Sequence, residues 1–350
     1  MPRFQSFLVL GALGPLSLLA AQSCVSPSKL LCPTEASAQT TSLPCDIYGA
    51  AQTACVAAFS TTRALLSSYT GPLYQVTRTS DMVTMNIGVL SDGYADAAAQ
   101  DGFCAKTSCT ISRIFDQSPH HNDLTAAPAG GAARGEGPGG QDLTAIADSF
   151  PATAGGHKVY GVYISPGMGY RNDNAVGIAV NGQPEGVYMV SSGDHVNGYC
   201  CFDFGNAERN NRNNGSGHMD AIGLRCDSAG NPHVGLDMEN GSYPPFPFPA
   251  GIPLLTSMGS NDGQHNYAVY WGNSQEGCLA TTGPLSLPNK EYAPMHQEGA
   301  IILGIGGDNS NFSQGAFFEG AMTAGTPSSA TMVAVQASVV SVGYAAAHLP

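Results

Sequence analysis

Three carboxylates of this chain sit where apolar runs end or alternate, and their types and spacing suit acid–base chemistry. The run Gly-Ala-Ile-Ile-Leu-Gly-Ile-Gly-Gly-Asp-Asn-Ser-Asn at 299–311 reads as a buried strand that stops at Gly306-Gly307 and delivers Asp308. Glycines let a backbone approach another group closely, so Asp308 is placed where something small comes near the main chain. A second segment, His-Val-Gly-Leu-Asp-Met-Glu-Asn at 233–240, offers Asp237 and Glu239 at strand spacing. Period-two alternation turns Val234, Leu236 and Met238 to one face, and His233, Gly235, Asp237 and Glu239 to the other. The apolar face packs inward and the second becomes the wall of a groove. Glycosidic cleavage needs one carboxylate to attack or steer water and another to protonate the leaving oxygen, so Glu239 and Asp308 are the candidate pair. Acids on strands are more often solvated faces or turn caps, and Asp308-Asn309 also fits an Asx turn. Asp116 and Asp203 are rival acids on spacing alone.

The elements that must position these groups are mostly strands. Short apolar runs at 159–164, 176–180, 187–190, 267–271, 299–305 and 316–322 alternate with turn residues, the pattern of an antiparallel sandwich. Asp46 can cap a helix over 46–69, which Gly71-Pro72 ends, and a strand follows at 73–78. Residues 127–141 are rich in Gly, Ala and Pro and read as an exposed loop. Periodicity leaves 331–342 open between packed helix and buried strand.

Composition agrees with an all-β chain. There are 44 Gly and 23 Pro, and only 11% of residues are charged, which suits a loop-rich β protein and not a helical bundle. Arg3, the apolar stretch 7–21 and the small residues after it predict a signal peptide over 1–23, and hence a secreted, extracellular protein. Beyond it we expect an N-terminal extension over 24–42 and one catalytic-size unit over 43–350, since the pattern shows no repeat and no linker that separates two domains. A formal net charge of −13 argues against nucleic acid or an anionic membrane as partner. No later segment has the apolar length to span a bilayer. A monomer is expected.

All ten cysteines lie at or beyond position 24, an even number that suits disulfides in an oxidising compartment. Cys45/Cys55 and Cys104/Cys109 are natural local pairs. Cys24/Cys32 and Cys226/Cys278 could supply two more, although spacing does not fix their connectivity. No CxxC pair exists, so no metal is expected, and no cofactor either. Cys200-Cys201 is unusual. A bond between neighbours would make a rigid, apolar, sulfur-faced bump, whereas the alternative sends each sulfur to a distant partner.

The segments Cys-Cys-Phe-Asp-Phe-Gly-Asn-Ala-Glu (200–208), Gly-His-Met-Asp-Ala-Ile (217–222), Asp-Met-Glu-Asn (237–240) and the block 298–311 resemble family 54 glycoside hydrolases, secreted fungal α-L-arabinofuranosidases. Pro-Cys-Asp-Ile-Tyr (44–48), Ser-Thr-Thr-Arg-Ala-Leu (60–65), Asp-Gln-Ser (116–118) and Ser-Pro-Gly-Met-Gly-Tyr-Arg-Asn (165–172) match as well. The resemblance implies a concanavalin-like antiparallel β-sandwich (jelly roll) with a few short helices. It also implies a retaining mechanism, with Glu239 the nucleophile and Asp308 the general acid/base. Asp237, Asn240 and Gly307 match positions that hold the sugar hydroxyls, and Cys200-Cys201 matches a vicinal disulfide against the sugar. Cys45/Cys55 and Cys104/Cys109 match the family's other bridges. The expected partner is an arabinose-containing plant cell-wall polysaccharide or oligosaccharide.

Two departures stand out. Family members place a tryptophan shortly before the nucleophile strand; here 222–236 is shortened, carries Cys226, and the single tryptophan is Trp271. The family often adds a C-terminal arabinose-binding β-trefoil, and this chain ends soon after the catalytic unit, so weaker anchoring to polymers is expected. Sequons at Asn214, Asn240 and Asn311 make Asn214 and Asn311 the glycosylation candidates, with Asn240 expected to stay bare because its amide turns into the pocket. The competing readings are a non-catalytic lectin-like binding sandwich, and a hydrolase of a related galactofuranoside or β-xyloside.

Overall fold

The computed structural model describes residues 29–33, 42–240 and 246–346. The signal peptide predicted over 1–23 lies outside them, as does Cys24. Two antiparallel sheets face each other, one of eleven strands and one of ten. Their facing sides hold one large apolar cluster that includes Phe59, Tyr74, Tyr188, Phe204, Ile222, Leu236 and Phe317. The sandwich expected from the short, turn-punctuated runs is the observed architecture.

Most expected strands are present. His157–Ile164, Glu185–Ser192, Asn266–Asn273, Ala300–Leu303, Gly315–Ala324 and Tyr74–Arg78 all form. The segment 331–342 resolves as helix, spanning Ser329–Ser341, with the Ser328 side chain accepting from the Thr331 amide. Residues 127–141 form a loop holding only a short 3₁₀ turn at Pro138–Gly140.

Two expectations fail. The helix predicted over 46–69 is only Pro44–Ala50, and Cys55–Ser60 is instead a strand buried at every position. A strand covered on both sides reads as a continuous apolar run, which alanines disguise as a helix. The run 176–180 forms no strand. Gly177 there takes φ +78°, and the Val176 amide is held by the Asn122 side chain, not by a neighbouring strand.

The stretch predicted as an N-terminal extension is joined to the sandwich. Lys29–Leu31 pairs with Leu279–Thr281 at a sheet edge, and Cys32 is bonded to Cys278. That bond corrects both tentative pairings: Cys278 does not bond Cys226, and Cys32 does not bond Cys24. Paired edge strands bring 32 and 278 together across 246 residues, a meeting that spacing along the chain does not encode. Cys226 carries a free thiol. Cys45–Cys55, Cys104–Cys109 and Cys200–Cys201 are bonded. No helix among the described residues is long and apolar enough to cross a membrane.

Register within the ten-stranded sheet builds the platform for the carboxylates. Phe202–Ala207, Asp220–Cys226 and Pro232–Asp237 lie side by side, and Ala300–Leu303 flanks the first of them. Phe204, Ile222 and Leu236 are cross-strand partners and all point into the core. One residue along, Asp203, Gly223 and Gly235 form the next row, and Gly205, Ala221 and Asp237 another, so these rows face outward. Small residues between the acids leave an open floor. Ala127, Ala207, Met219, Ala221, Ile302 and Ile305 make a second, smaller apolar cluster beneath the loops that cover this face.

Candidate active site

On this outer face lies a cavity of about 290 Å³. Its walls include Glu239, Asp308, Asp237, Asn240, Gly307, Cys200 and Cys201, so every residue assigned to catalysis or sugar binding from the sequence meets in one place. Asp203, Arg225, Asn213, Ser310 and Tyr199 complete much of the lining. Of the rival acids, Asp203 belongs to this cavity. Asp116 does not: it is buried and accepts from the Ala58, Ser118 and Asn122 amides, tying a loop to a strand.

Each carboxylate is set by its local backbone. The strand bearing the first pair ends at Asp237, and Glu239 lies just past it at φ +74°. The alternation expected through 240 therefore stops short, and a turn aims Glu239 into the cavity. Three contacts fix that turn. The Glu239 amide donates to Asp237 Oδ1 at 2.9 Å, Tyr292 donates its hydroxyl to the Glu239 carbonyl at 3.0 Å, and the Gly217 amide donates to the Met238 carbonyl at 2.8 Å. Asp308 follows the Ala300–Leu303 strand and its glycines. Its Oδ1 accepts from the Ser310 hydroxyl at 2.6 Å and the Ser310 amide at 3.1 Å, so the Asx turn and the site role coexist.

The loop after Asp308 is held from below. Asn309 and Asn311 both donate side-chain amides to Asp142 Oδ1, at 3.1 and 2.7 Å. Asn311 is buried, and its Nδ2 is committed to Asp142, which overturns it as a glycosylation candidate because a glycan there would need that nitrogen in solvent. Asn214 is exposed. Asn240 is exposed as well, lines the cavity, and accepts from Asn213 Nδ2 at 2.8 Å.

Negative groups crowd together in a largely buried space. Burial, then the charges of Glu208 and Asp237, push Glu239 up to about 9. Burial also raises Asp237, and raises Asp203 well above the carboxylate range, with Asp237 and Glu239 adding to the latter. Asp203, Asp237 and the Cys201 sulfur place ligand-type atoms within 4.8 Å of one another, yet that sulfur is bound to Cys200 and is not a thiolate.

Sequence reasoning missed three groups. Glu208 is fully buried, and its charge beside Glu239 helps to raise that carboxyl. Arg171, also fully buried, donates to the Gly307 carbonyl at 2.7 Å and to the Glu208 carbonyl, so one side chain ties the two acid-bearing segments together. Tyr199, 69% exposed, stands at the mouth beside the sulfur pair. Glu208 and Arg171 lie inside the matched motifs, which was the available signal. Trp271 lies in the core, stacked on Phe246 at 5.8 Å, and takes no part in the cavity.

The family described as "Alpha-L-arabinofuranosidase B, catalytic" matches residues 44–345. The chain belongs to this family. Among arabinofuranosidase relatives, it is 50% identical over 319 residues to "Alpha-L-arabinofuranosidase" of Hypocrea jecorina, and 49% identical to "Arabinofuranosidase/B-xylosidase" of Trichoderma koningii. Each match covers 87% of this chain and 64% of the relative. A crystal structure of an arabinofuranosidase complexed with arabinofuranosyl-α-1,2-xylobiose superposes with a TM-score of 0.82 at 44% identity, covering 87% of this chain and 66% of that one. The chain thus spans just under two thirds of the length of the arabinofuranosidase relatives it matches.

Proposed function

We propose that the chain is a retaining, exo-acting α-L-arabinofuranosidase that removes arabinofuranosyl side chains from arabinoxylan or arabinan. The observation that carries this is the convergence of Glu239 and Asp308 on one cavity large enough for a single furanose. Glu239 attacks the anomeric carbon while Asp308 protonates the departing oxygen. Asp308 then deprotonates the water that releases arabinose with its configuration kept. Asp237, Asn240 and the Gly307 main chain are the groups offered to the hydroxyls, and the bonded Cys200-Cys201 gives the sugar an apolar wall. Membership of a family named for this activity, and a relative caught with an arabinofuranosyl oligosaccharide, support the same chemistry. The leader-like N-terminus supports secretion, which places the enzyme where plant cell-wall polymers are.

A second reading, β-xyloside hydrolysis, has one specific support: a 49%-identical relative is named for both activities. A panel of 4-nitrophenyl glycosides decides. The α-L-arabinofuranoside should release nitrophenol far faster than the β-xyloside or β-galactofuranoside. A dominant β-xyloside rate selects the second reading, and no release from any glycoside leaves a lectin-like binder.

A further inference from the structure

Glu208 has no role in the chemistry above, yet it is the group most intimately placed against Glu239. It follows the Phe202–Ala207 strand, is fully buried, and its carboxyl converges with that of Glu239 on one point beside Gly307. Its Oε1 receives the Asn214 amide at 3.4 Å, and its Oε2 has no hydrogen-bond donor among the described protein groups. Two ionised carboxylates offer each other only lone pairs and repel, so their convergence in a buried space calls for a proton on one. Gly307 shows how closely the groups converge. A β-carbon there would overlap Glu208 Oε2 and stand 3.3 Å from Glu239 Oε2, so only glycine leaves room for both oxygens. Arg171 holds the arrangement from behind by donating to the carbonyls of both Glu208 and Gly307.

We propose that Glu208 and Glu239 share one proton, and that Glu208 is a positioning residue that keeps this proton while Glu239 attacks as the carboxylate. The proton moves from one carboxyl oxygen to the other and is neither lost nor gained. In the unliganded cavity the neighbouring charges favour the proton on Glu239: Asp237, Asp308 and Asp203 face it, while Arg171 lies on the Glu208 side and Arg225 faces Asp203 and Asp237. Positive charge developing at the anomeric carbon reverses that preference and leaves Glu239 ionised against a neutral donor. The pair then titrates as a unit, with one proton retained over a wide pH range.

This inference rests on the arabinofuranosidase reading for its kinetic consequence but not for its spectroscopic one. Glu208→Gln keeps a donor and Glu208→Leu removes it. The acid limb of kcat/KM reports the free enzyme's nucleophile. In Glu208→Gln it should stay within about half a pH unit of wild type, with activity within about tenfold; in Glu208→Leu it should rise by about one to two units, the worth of a hydrogen bond to a charged group. A purely structural Glu208 would lower rates without moving the limb, and an unmoved limb in folded Glu208→Leu overturns the proposal. Infrared spectroscopy decides whether or not Glu208→Leu folds or nitrophenyl arabinofuranoside is cleaved. The wild type minus Glu208→Gln difference at neutral pH should contain the carbonyl band of a buried protonated carboxyl, shifted in deuterium oxide. A difference spectrum without that band contradicts the shared proton.

Discussion

At the residue scale, Asp308 and Glu239 differ in how they are held. Asp308 is half-buried, its side chain braced by Ser310 and its carbonyl by the Ala132 amide, whereas Glu239 is buried and tied by Asp237 and Tyr292 through its main chain. A nucleophile must be fixed relative to one carbon, while an acid/base must serve first a leaving oxygen and then a water. Asp308→Asn should therefore slow glycosides with poor leaving groups at least about a hundredfold, and nitrophenyl glycosides much less, because only the former need protonation. Comparing the two rates checks this, and equal losses would remove Asp308 from the acid role. Glu239 and Asp308 were legible as acids at the ends of apolar runs and through the family motifs. Glu208 and Arg171 were not singled out, since their meaning comes from a meeting across strands that are distant in sequence.

At the scale of elements, register does the positioning. Because Asp203 pairs with Gly223 and Gly205 with Ala221, acids and small residues share the outer face while Phe204, Ile222 and Leu236 anchor the inner one. A slip of one residue would exchange the two faces. Phe204 is the largest of these anchors, 5.3 Å from Phe317 and edge-on to Phe59 at 6.1 Å. Phe204→Ala should cost about 3–5 kcal/mol by denaturant unfolding, and a loss under about 1 kcal/mol would mean that register is held elsewhere. Strands that alternate or sit between clear turns were legible in the sequence. The Cys55–Ser60 strand was not, because its run of small apolar residues, buried on both sides, carries no period of two.

At the scale of the whole molecule, the many buried carboxyls give stability a direction in pH. Asp220 and Glu185 meet between the sheets, and burial raises both, Asp220 to about 7. A carboxyl raised on folding contributes stability that is full below its ordinary value of 3.8 and lost as pH climbs through 7. Asp142, pushed up to about 6 by burial, acts in the same direction. Asp262 and Glu298 act oppositely: hydrogen bonds hold them low, so their contribution fades as pH falls below the ordinary carboxylate range. The melting temperature should accordingly be higher at pH 5 than at pH 8, and Asp220→Asn should flatten that slope. Parallel slopes in scanning calorimetry would show that the inter-sheet pair is not its source. The sandwich itself was legible from turn spacing, whereas the long-range Cys32–Cys278 link and the inter-sheet acid pair depend on the assembled fold.

The proposed function requires two carboxyl groups to act across one furanose ring. The direct test is the anomer of arabinose first formed from 4-nitrophenyl α-L-arabinofuranoside, followed by proton NMR before mutarotation. Attack by Glu239 with acid/base help from Asp308 predicts the α-anomer at the outset. Appearance of the β-anomer first would mean that water, and not Glu239, attacks the sugar.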